Sequence, residues 1–385
     1  MEIEISNKIS SRCWIEVDLD VIRENALSLR SFLKSDTGII AVVKSNAYEH
    51  GINEVGAILS DIVDMFAVSS LQEAVVLREA GVENPVLFFS NPLNEDDLDL
   101  IFQYDILPVI NDISFLEIFE NKARQLGVRK AVDIKIDTGM SRLGIAWDEK
   151  SNLLNCLNKI EYLDIHGCFT HFAHAEDIQF TRLQSERFQD ITNLLKDNGY
   201  DFKCHAANSS TTLRMPSVWF DYVRPGLILY GIYPDLGVKN RISLKQAFSF
   251  KTRLMQVKDV KKGSFIGYCC TYKAPSDMKI GIIPVGYNQG IPWSFSNKGL
   301  VLLRGKRVPI LGRVSMDQII INLREIESPK IAEEVVITGI QGTEEIKIEE
   351  LAELSNTIPY EIICGLGKVQ NKIYLKKDNL LSQGG

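Results

Sequence analysis

Eight short apolar runs recur between residues 38 and 224, separated by stretches with helical spacing, and this alternation limits the fold more than any other feature. The runs are GIIAVV (38–43), MFAVS (65–69), PVLFF (85–89), LPVI (107–110), AVDIKI (131–136), DIHGCFT (164–170), FKCHA (202–206) and the less regular WFDYVR (219–224). Most are continuous and rich in β-branched residues, the pattern of strands covered on both faces. Between them, SLQEAVVLREAG (70–81) sets Leu71, Ala74, Val75 and Leu77 on one side of a helix, with Gly81 as its stop. TRLQSERFQDITNLLKDNG (181–199) reads the same way. Eight strands alternating with helices predict an α/β fold, a (β/α)8 barrel of the TIM type.

After about residue 240 the texture changes. FKTRLMQVKDV (250–260), MKIGIIPV (278–285), KGLVLLRGKRVPIL (298–311), DQIIINL (317–323) and EEVVITGI (333–340) alternate, with turn signals between them, and predict a smaller, mainly-β domain. The expected division is a barrel over residues 12–243 and a β domain over 244–385 that also takes a strand from residues 1–11. No Gly/Ser/Pro linker separates the two, so they are expected to pack tightly.

A net charge of −7 lacks the basic surplus of a nucleic-acid surface. Seven cysteines cannot all pair within one chain, and the adjacent Cys269 and Cys270 suit neither a zinc knuckle nor a C-x-x-C redox pair, so reduced thiols are expected and no metal. The segment MEIEISNKISSRCW lacks the apolar core of a secretory signal, and no run approaches the roughly 20 apolar residues of a membrane span. A cytoplasmic protein without membrane or nucleic-acid partners is expected.

Barrels of this type place their reactive groups at the C-terminal ends of the strands. Lys44 directly follows the first run, Arg142 follows AVDIKI, His171 follows DIHGCFT, and His205 to Ser209 close the seventh. Polar and titratable groups therefore converge on one rim. The surrounding strings resemble those of alanine racemases: AVVKSNAYEHG (41–51), KIDTGMSRLG (135–144), FTHFAHAED (169–177), HAANSS (205–210), YVRPGLILYGIYP (222–234), IGYCCTY (266–272), IPVGYNQG (283–290), GRVSMDQ (312–318) and NTIPYEI (356–362). Nine matches, in order, span nearly the whole chain and both expected domains.

That resemblance implies pyridoxal 5'-phosphate (PLP) as cofactor, a small amino-acid substrate, and a homodimer with shared active sites that interconverts L- and D-alanine for the cell wall. It implies that Lys44 carries the cofactor and serves as one base, and that Tyr268 of the partner subunit is the base on the opposite face. Removing a proton on one face and delivering one on the other needs two such groups. Arg224 is implied to face the ring nitrogen of PLP, with His205 behind it and His171 against the ring. Tyr48, Asn208, Ser209, the amides of Gly226 and Leu227, and Tyr360 match the cofactor anchors. Gly226 suits a close backbone approach to phosphate at a helix N-terminus. Arg142 is implied to hold the substrate carboxylate and Lys135, as a carbamate, to hold Arg142. Tyr287 and Met316, with Asp317, match residues lining the substrate entrance of the facing subunit.

The chain departs from that pattern in places. Ser45 and Glu49 replace small residues around the lysine, Cys269 and Cys270 follow the tyrosine, GYNQG lacks an Asp, and CGLGKVQNKIY (364–374) replaces an S-x-R-V-P-R pattern. A racemase of broader specificity therefore stays open. A decarboxylase of the same architecture needs a carboxylate where Arg224 stands. A non-catalytic PLP carrier lacks the β domain and a counterpart of Tyr268.

Overall fold

The structure, a computed structural model, describes residues 11–239, 241–369 and 371–376. Eight parallel strands close the barrel in chain order: Gly38–Val42, Met65–Val68, Val86–Phe88, Leu107–Ile110, Lys130–Asp137, Leu163–Phe169, Lys203–Asn208 and Tyr222–Arg224. Tyr222–Arg224 pairs with both Lys203–Asn208 and Gly38–Val42, which completes the ring. Each strand matches one of the apolar runs. The eighth keeps only the last three residues of its run, because Phe220 takes a left-handed φ of 54° that no strand accommodates.

The helix Leu71–Glu79 begins at a capping box in which Ser70 and Glu73 bond each other's backbone, and Gly81 follows its end at φ +81°. The helix Ile178–Asp197 buries Phe188, Ile191 and Leu195 and starts three residues before the expected pattern. The eighth strand leads only to a 3-10 turn, Leu227–Tyr230. The helix Leu19–Phe32 covers it instead, and Asn25 Nδ2 donates to the carbonyls of Leu229 (3.2 Å) and Lys245 (2.8 Å).

The second sheet runs Gln256–Val260, Met278–Ile283, Ile319–Asn322, Lys306–Leu311, Leu300–Leu303, Glu334–Gln341, Phe248–Arg253, Cys13–Asp18 and Lys372–Leu375, with Glu344–Ile346 paired to Glu334–Gln341. Two expected single runs are each two strands. The run 298–311 folds at Arg304 and Gly305, both at positive φ (53° and 68°), as a two-residue hairpin of the kind that requires them. The expected strand in residues 1–11 lies almost wholly outside the described residues. The N-terminal strand that does join this sheet is Cys13–Asp18, on the barrel side of the expected boundary at residue 12. It pairs antiparallel with Phe248–Arg253 and parallel with Lys372–Leu375. Its CWIEVD sequence buries Cys13, Trp14, Ile15 and Val17, and one apolar core runs through barrel and sheet.

Candidate active site

The segment after Lys44 turns the wrong way for L-residues. Ser45, Asn46, Ala47, Tyr48 and Glu49 all lie at φ 51–67°, a left-handed turn that costs roughly 1–2 kcal/mol per residue. Tertiary bonds offset it. Glu73 accepts from the Asn46 amide at 3.0 Å, and Asn46 Oδ1 accepts from the Ile52 amide at 2.9 Å. The buried His50 donates from Nδ1 to the carbonyls of Ala47 and Tyr48, both at 3.0 Å. Burial lowers the His50 pKa to about 4, so the ring is neutral. Glu49 pairs with Lys372 of the last described strand at 3.2 Å. The turn buries Tyr48 while Lys44 stays at the barrel rim.

A cavity of about 350 Å³ opens there. Lys44, Tyr48, Lys135, Arg142, His171, Asn208, Ser209, Arg224, Gly226 and Tyr360 all line it, together with Val42, Ser69, Phe89, Ser90, Leu143 and Phe169, which the sequence reading did not single out. Strand-end position was the available signal for all but Leu143, and Val42, Phe89 and Phe169 read as apolar core while Ser69 and Ser90 read as turn residues. No Asp or Glu is among the lining residues, against two lysines and two arginines. Burial lowers the Lys44 pKa, and Arg142 adds to the effect. Burial, then Arg142 and Arg224, bring Lys135 down to about 8. Burial and the surrounding cations Arg224, Arg142, Lys135 and Lys44 hold His171 well below its ordinary range, so it too is neutral.

Arg224 is buried and fixed from behind. Nη1 donates to His205 Nδ1 at 2.8 Å, and Nη2 donates to the carbonyls of Thr170 (2.7 Å) and Ala206 (3.0 Å) and lies 3.2 Å from His171 Nδ1. Burial lowers its pKa to about 9, which leaves it protonated near neutral pH. Arg142 is exposed on a loop whose start is tied down by Asp137: Oδ1 accepts from the amides of Gly139 (2.9 Å), Met140 (2.9 Å) and Ser141 (3.1 Å). No carboxylate among the described residues is within ion-pair distance of Lys135.

The Gly226 amide donates to Ser209 Oγ at 2.9 Å, and a Cβ on Gly226 would stand 2.6 Å from Tyr48 Oη. Glycine is required there by close approach. The element that follows, beginning at Leu227, is a 3-10 turn and not the helix N-terminus expected from the sequence. Asn208 caps the six-residue helix Ser209–Arg214 through the Thr211 amide. Tyr360, from the helix Pro359–Leu366 of the second domain, brings its ring to 6.0 Å from that of Tyr48. His205 lies behind Arg224 and does not line the cavity.

Tyr268, Tyr287, Met316 and Asp317 do not line this cavity either. They meet on three loops at one edge of the second domain. The Tyr287 amide donates to Ser315 O and the Asn288 amide to Met316 O, both at 3.0 Å. Asn288 Nδ2 reaches Asp317 Oδ1 at 3.3 Å, Asn297 Nδ2 reaches Thr271 Oγ1 at 3.1 Å, and Arg313 stacks over Trp293. Tyr268 is 71% exposed, and Phe265, Trp293, Met316 and Tyr287 are exposed with it. Cys269 and Cys270 are exposed as well, whereas Cys13, Cys168 and Cys204 are the buried thiols.

A closed parallel barrel with a lysine at the end of its first strand, an anion-receptive cavity on the C-terminal rim and an appended β domain defines a class of barrel enzymes whose chemistry is done at that rim. The chain belongs to the alanine racemase family: residues 17–234 match the N-terminal domain of that family and residues 247–374 its C-terminal domain. The alanine racemase of Methanococcus maripaludis is 37% identical over 374 residues, covering 95% of this chain and 100% of that protein. That of Halothermothrix orenii is 35% identical, covering 97% and 99%. Among solved structures, the alanine racemase of Clostridium difficile superposes with a TM-score of 0.89 at 30% identity, covering 96% of this chain and 97% of that one. The Bacillus anthracis alanine racemase with bound L-Ala-P gives 0.85 at 33%, covering 96% of each.

Proposed function

We propose that the chain interconverts L- and D-alanine with PLP, using Lys44 and Tyr268 of the partner subunit as the two bases. One observation carries the reading: a rim cavity lined by Lys44, Lys135, Arg142 and Arg224 and by no carboxylate. Such a set suits a ligand with several anionic groups.

The residues fit PLP. Its phosphate would lie where Gly226 leaves out a Cβ, within reach of Tyr48, Ser209, Tyr360 and the Gly226 and Leu227 amides, with Asn208 holding the Ser209 turn. His171 would flank the ring and Arg224 would face its nitrogen. When bound, the cofactor supplies an electron sink that acidifies the substrate α-carbon, and a cationic arginine opposite the ring nitrogen keeps that sink moderate.

The chain's own residues supply the rest. Arg142 orients the substrate carboxylate through its donor fork. Lys44, whose pKa burial and then Arg142 lower, is the group that holds or releases a proton at Nζ. Tyr268 Oη of the partner subunit acts from the other face, removing the α-proton of L-alanine while Lys44 delivers one; the roles reverse for D-alanine. Tyr287, Met316 and Asp317 of the partner subunit narrow the entrance. Lys135, as a carbamate, turns a repulsive neighbour of Arg142 into an attractive one. A homodimer follows from this division of labour. D-alanine so made suits cell-wall precursor supply, in a cytoplasmic enzyme. Among the described residues no helix is long and apolar enough to cross a membrane.

The test is a racemisation assay on PLP-loaded protein with a panel of L-amino acids, comparing wild type with Lys44→Ala and Tyr268→Phe. L-alanine is expected to turn over fastest and both variants to lose most of the activity. PLP binding at Lys44 without racemisation of any amino acid contradicts the reading.

A further inference from the structure

Inside the barrel, Arg224 is the last member of a polar chain that the reaction as described does not use. His205 Nδ1 lies 2.8 Å from Arg224 Nη1, and its Nε2 lies 3.0 Å from Asp133 Oδ2. Asp133 Oδ1 lies 2.8 Å from His166 Nδ1. His166 opens on its far side into a separate cleft beside Asp105 and Lys130. Asp133 is fully buried, and its two oxygens meet two imidazoles.

The backbone is shaped to make this contact. The pairing of the fifth and sixth barrel strands slips at this point: Val132 faces Ile165, but Asp133 faces Gly167, leaving His166 as the extra residue of a bulge. A bulge redirects one side chain, and here it brings His166 to the carboxylate. Gly167 is the complement, because a Cβ there would stand 2.7 Å from both carboxylate oxygens. An apolar residue at 133 would avoid the cost of burying a charge. What the carboxylate adds is direction.

We propose that Asp133, held by His166, is a positioning residue for Arg224: it fixes His205 in the tautomer whose Nδ1 is the acceptor, and so holds the guanidinium as a donor aimed into the cavity. This rests on the reading of Arg224 as the residue opposite the cofactor's ring nitrogen. An ionised carboxylate only accepts hydrogen bonds, so the proton of a neutral His205 must sit on Nε2. The other tautomer would set an N–H against the guanidinium N–H at 2.8 Å. Burial pushes the His205 pKa down to about 4, so the ring has one proton to place. Burial works against ionisation of Asp133, yet the hydrogen bonds from His166 and His205 hold it below its ordinary value. Phe169 stacks on His205 (4.7 Å, 10°) and fixes the ring plane.

The decisive variant is Asp133→Asn, which keeps the shape and replaces an acceptor-only carboxylate by an amide that can also donate to Nε2, so that the proton is no longer confined to Nε2. In cofactor-free protein labelled with 15N-histidine, with the five histidines assigned by single substitutions, wild-type His205 is expected to be protonated at Nε2 and bare at Nδ1. Asp133→Asn is expected to move that proton, change the visible absorption of bound PLP, and lower kcat for L-alanine by on the order of 10- to 100-fold with KM changed by less than about 3-fold. His166→Gln, which retains a donor to Asp133, is expected to stay within about 5-fold of wild type. A wild-type His205 protonated at Nδ1 overturns the proposal, as does Asp133→Asn with wild-type histidine signals and absorption. Should Asp133→Asn not fold, the wild-type tautomer decides alone. Should wild type not racemise alanine, the proposed function fails while the tautomer reading of the cofactor-free protein still stands or falls separately.

Discussion

At the residue scale the cavity sets four cations together, and Lys135 is the one whose proton this brings within easy reach of titration. Lys135 carries a pKa of about 8 because burial and two arginines disfavour its charge. A lysine whose folded pKa is lowered binds fewer protons folded than unfolded between about pH 8 and its ordinary value near 10.4, so its contribution to stability rises with pH across that window. In CO2-free, cofactor-free protein, the denaturation midpoint of wild type is expected to rise with pH there relative to Lys135→Met; parallel profiles contradict it. The neutral amine is also the form that captures CO2. Protein in 13C-bicarbonate is expected to show a carbamate carbon signal that Lys135→Met lacks, and its equal presence in both would remove Lys135 from that role. In the barrel half of the cavity, Lys44, Arg142, His171, Asn208 and Ser209 were legible because they follow or close strand runs, whereas Tyr48, Lys135, Arg224 and Gly226 came only with the resemblance. Asp133 and His166 were not, since inside AVDIKI and DIHGCFT they read as interruptions of apolar runs, and only the bulge pairs them.

At the scale of elements, the eight barrel strands were legible because burial on both faces leaves a run with few polar residues. The hairpin at Arg304 was not, since arginine gives no signal for positive φ. The left-handed turn at 45–49 could not be read locally at all, because Ser, Asn, Ala, Tyr and Glu all prefer other conformations and only distant partners impose this one. Glu73 is the chief of these, bonding Asn46 while capping its own helix. Glu73→Ala is therefore expected to cost about 1–3 kcal/mol in urea denaturation, and no loss would show the turn to be self-supporting. Gly226→Ala places a methyl 2.6 Å from Tyr48 Oη. Titration of cofactor-free protein with PLP is expected to show affinity weakened about 10-fold or more, against unchanged affinity if the phosphate binds elsewhere.

At the scale of the whole molecule, the proposed function assigns each chain half of what the chemistry needs. The rim cavity brings together Lys44 and the proposed cofactor anchors, while Tyr268 stands exposed on the second domain, as do Phe265, Trp293 and Met316. An apolar patch of large exposed side chains suits an interface, and the proposed two-fold dimer would bring the same pair of unlike surfaces together twice. Trp293→Asp is accordingly expected to shift sedimentation toward single chains and to make activity fall on dilution; an unchanged dimer with full activity would place the interface elsewhere. The sequence resemblance reached Tyr268, but no spacing in one chain could place it opposite Lys44.

The most direct test mixes two inactive proteins. Lys44→Ala and Tyr268→Phe homodimers, dissociated together and reassociated, form mixed dimers with one site that has both bases intact. Random assortment predicts recovery of about a quarter of the wild-type alanine racemisation. No recovery, with mixed dimers shown to form, would mean that the two residues act within one chain or not at all.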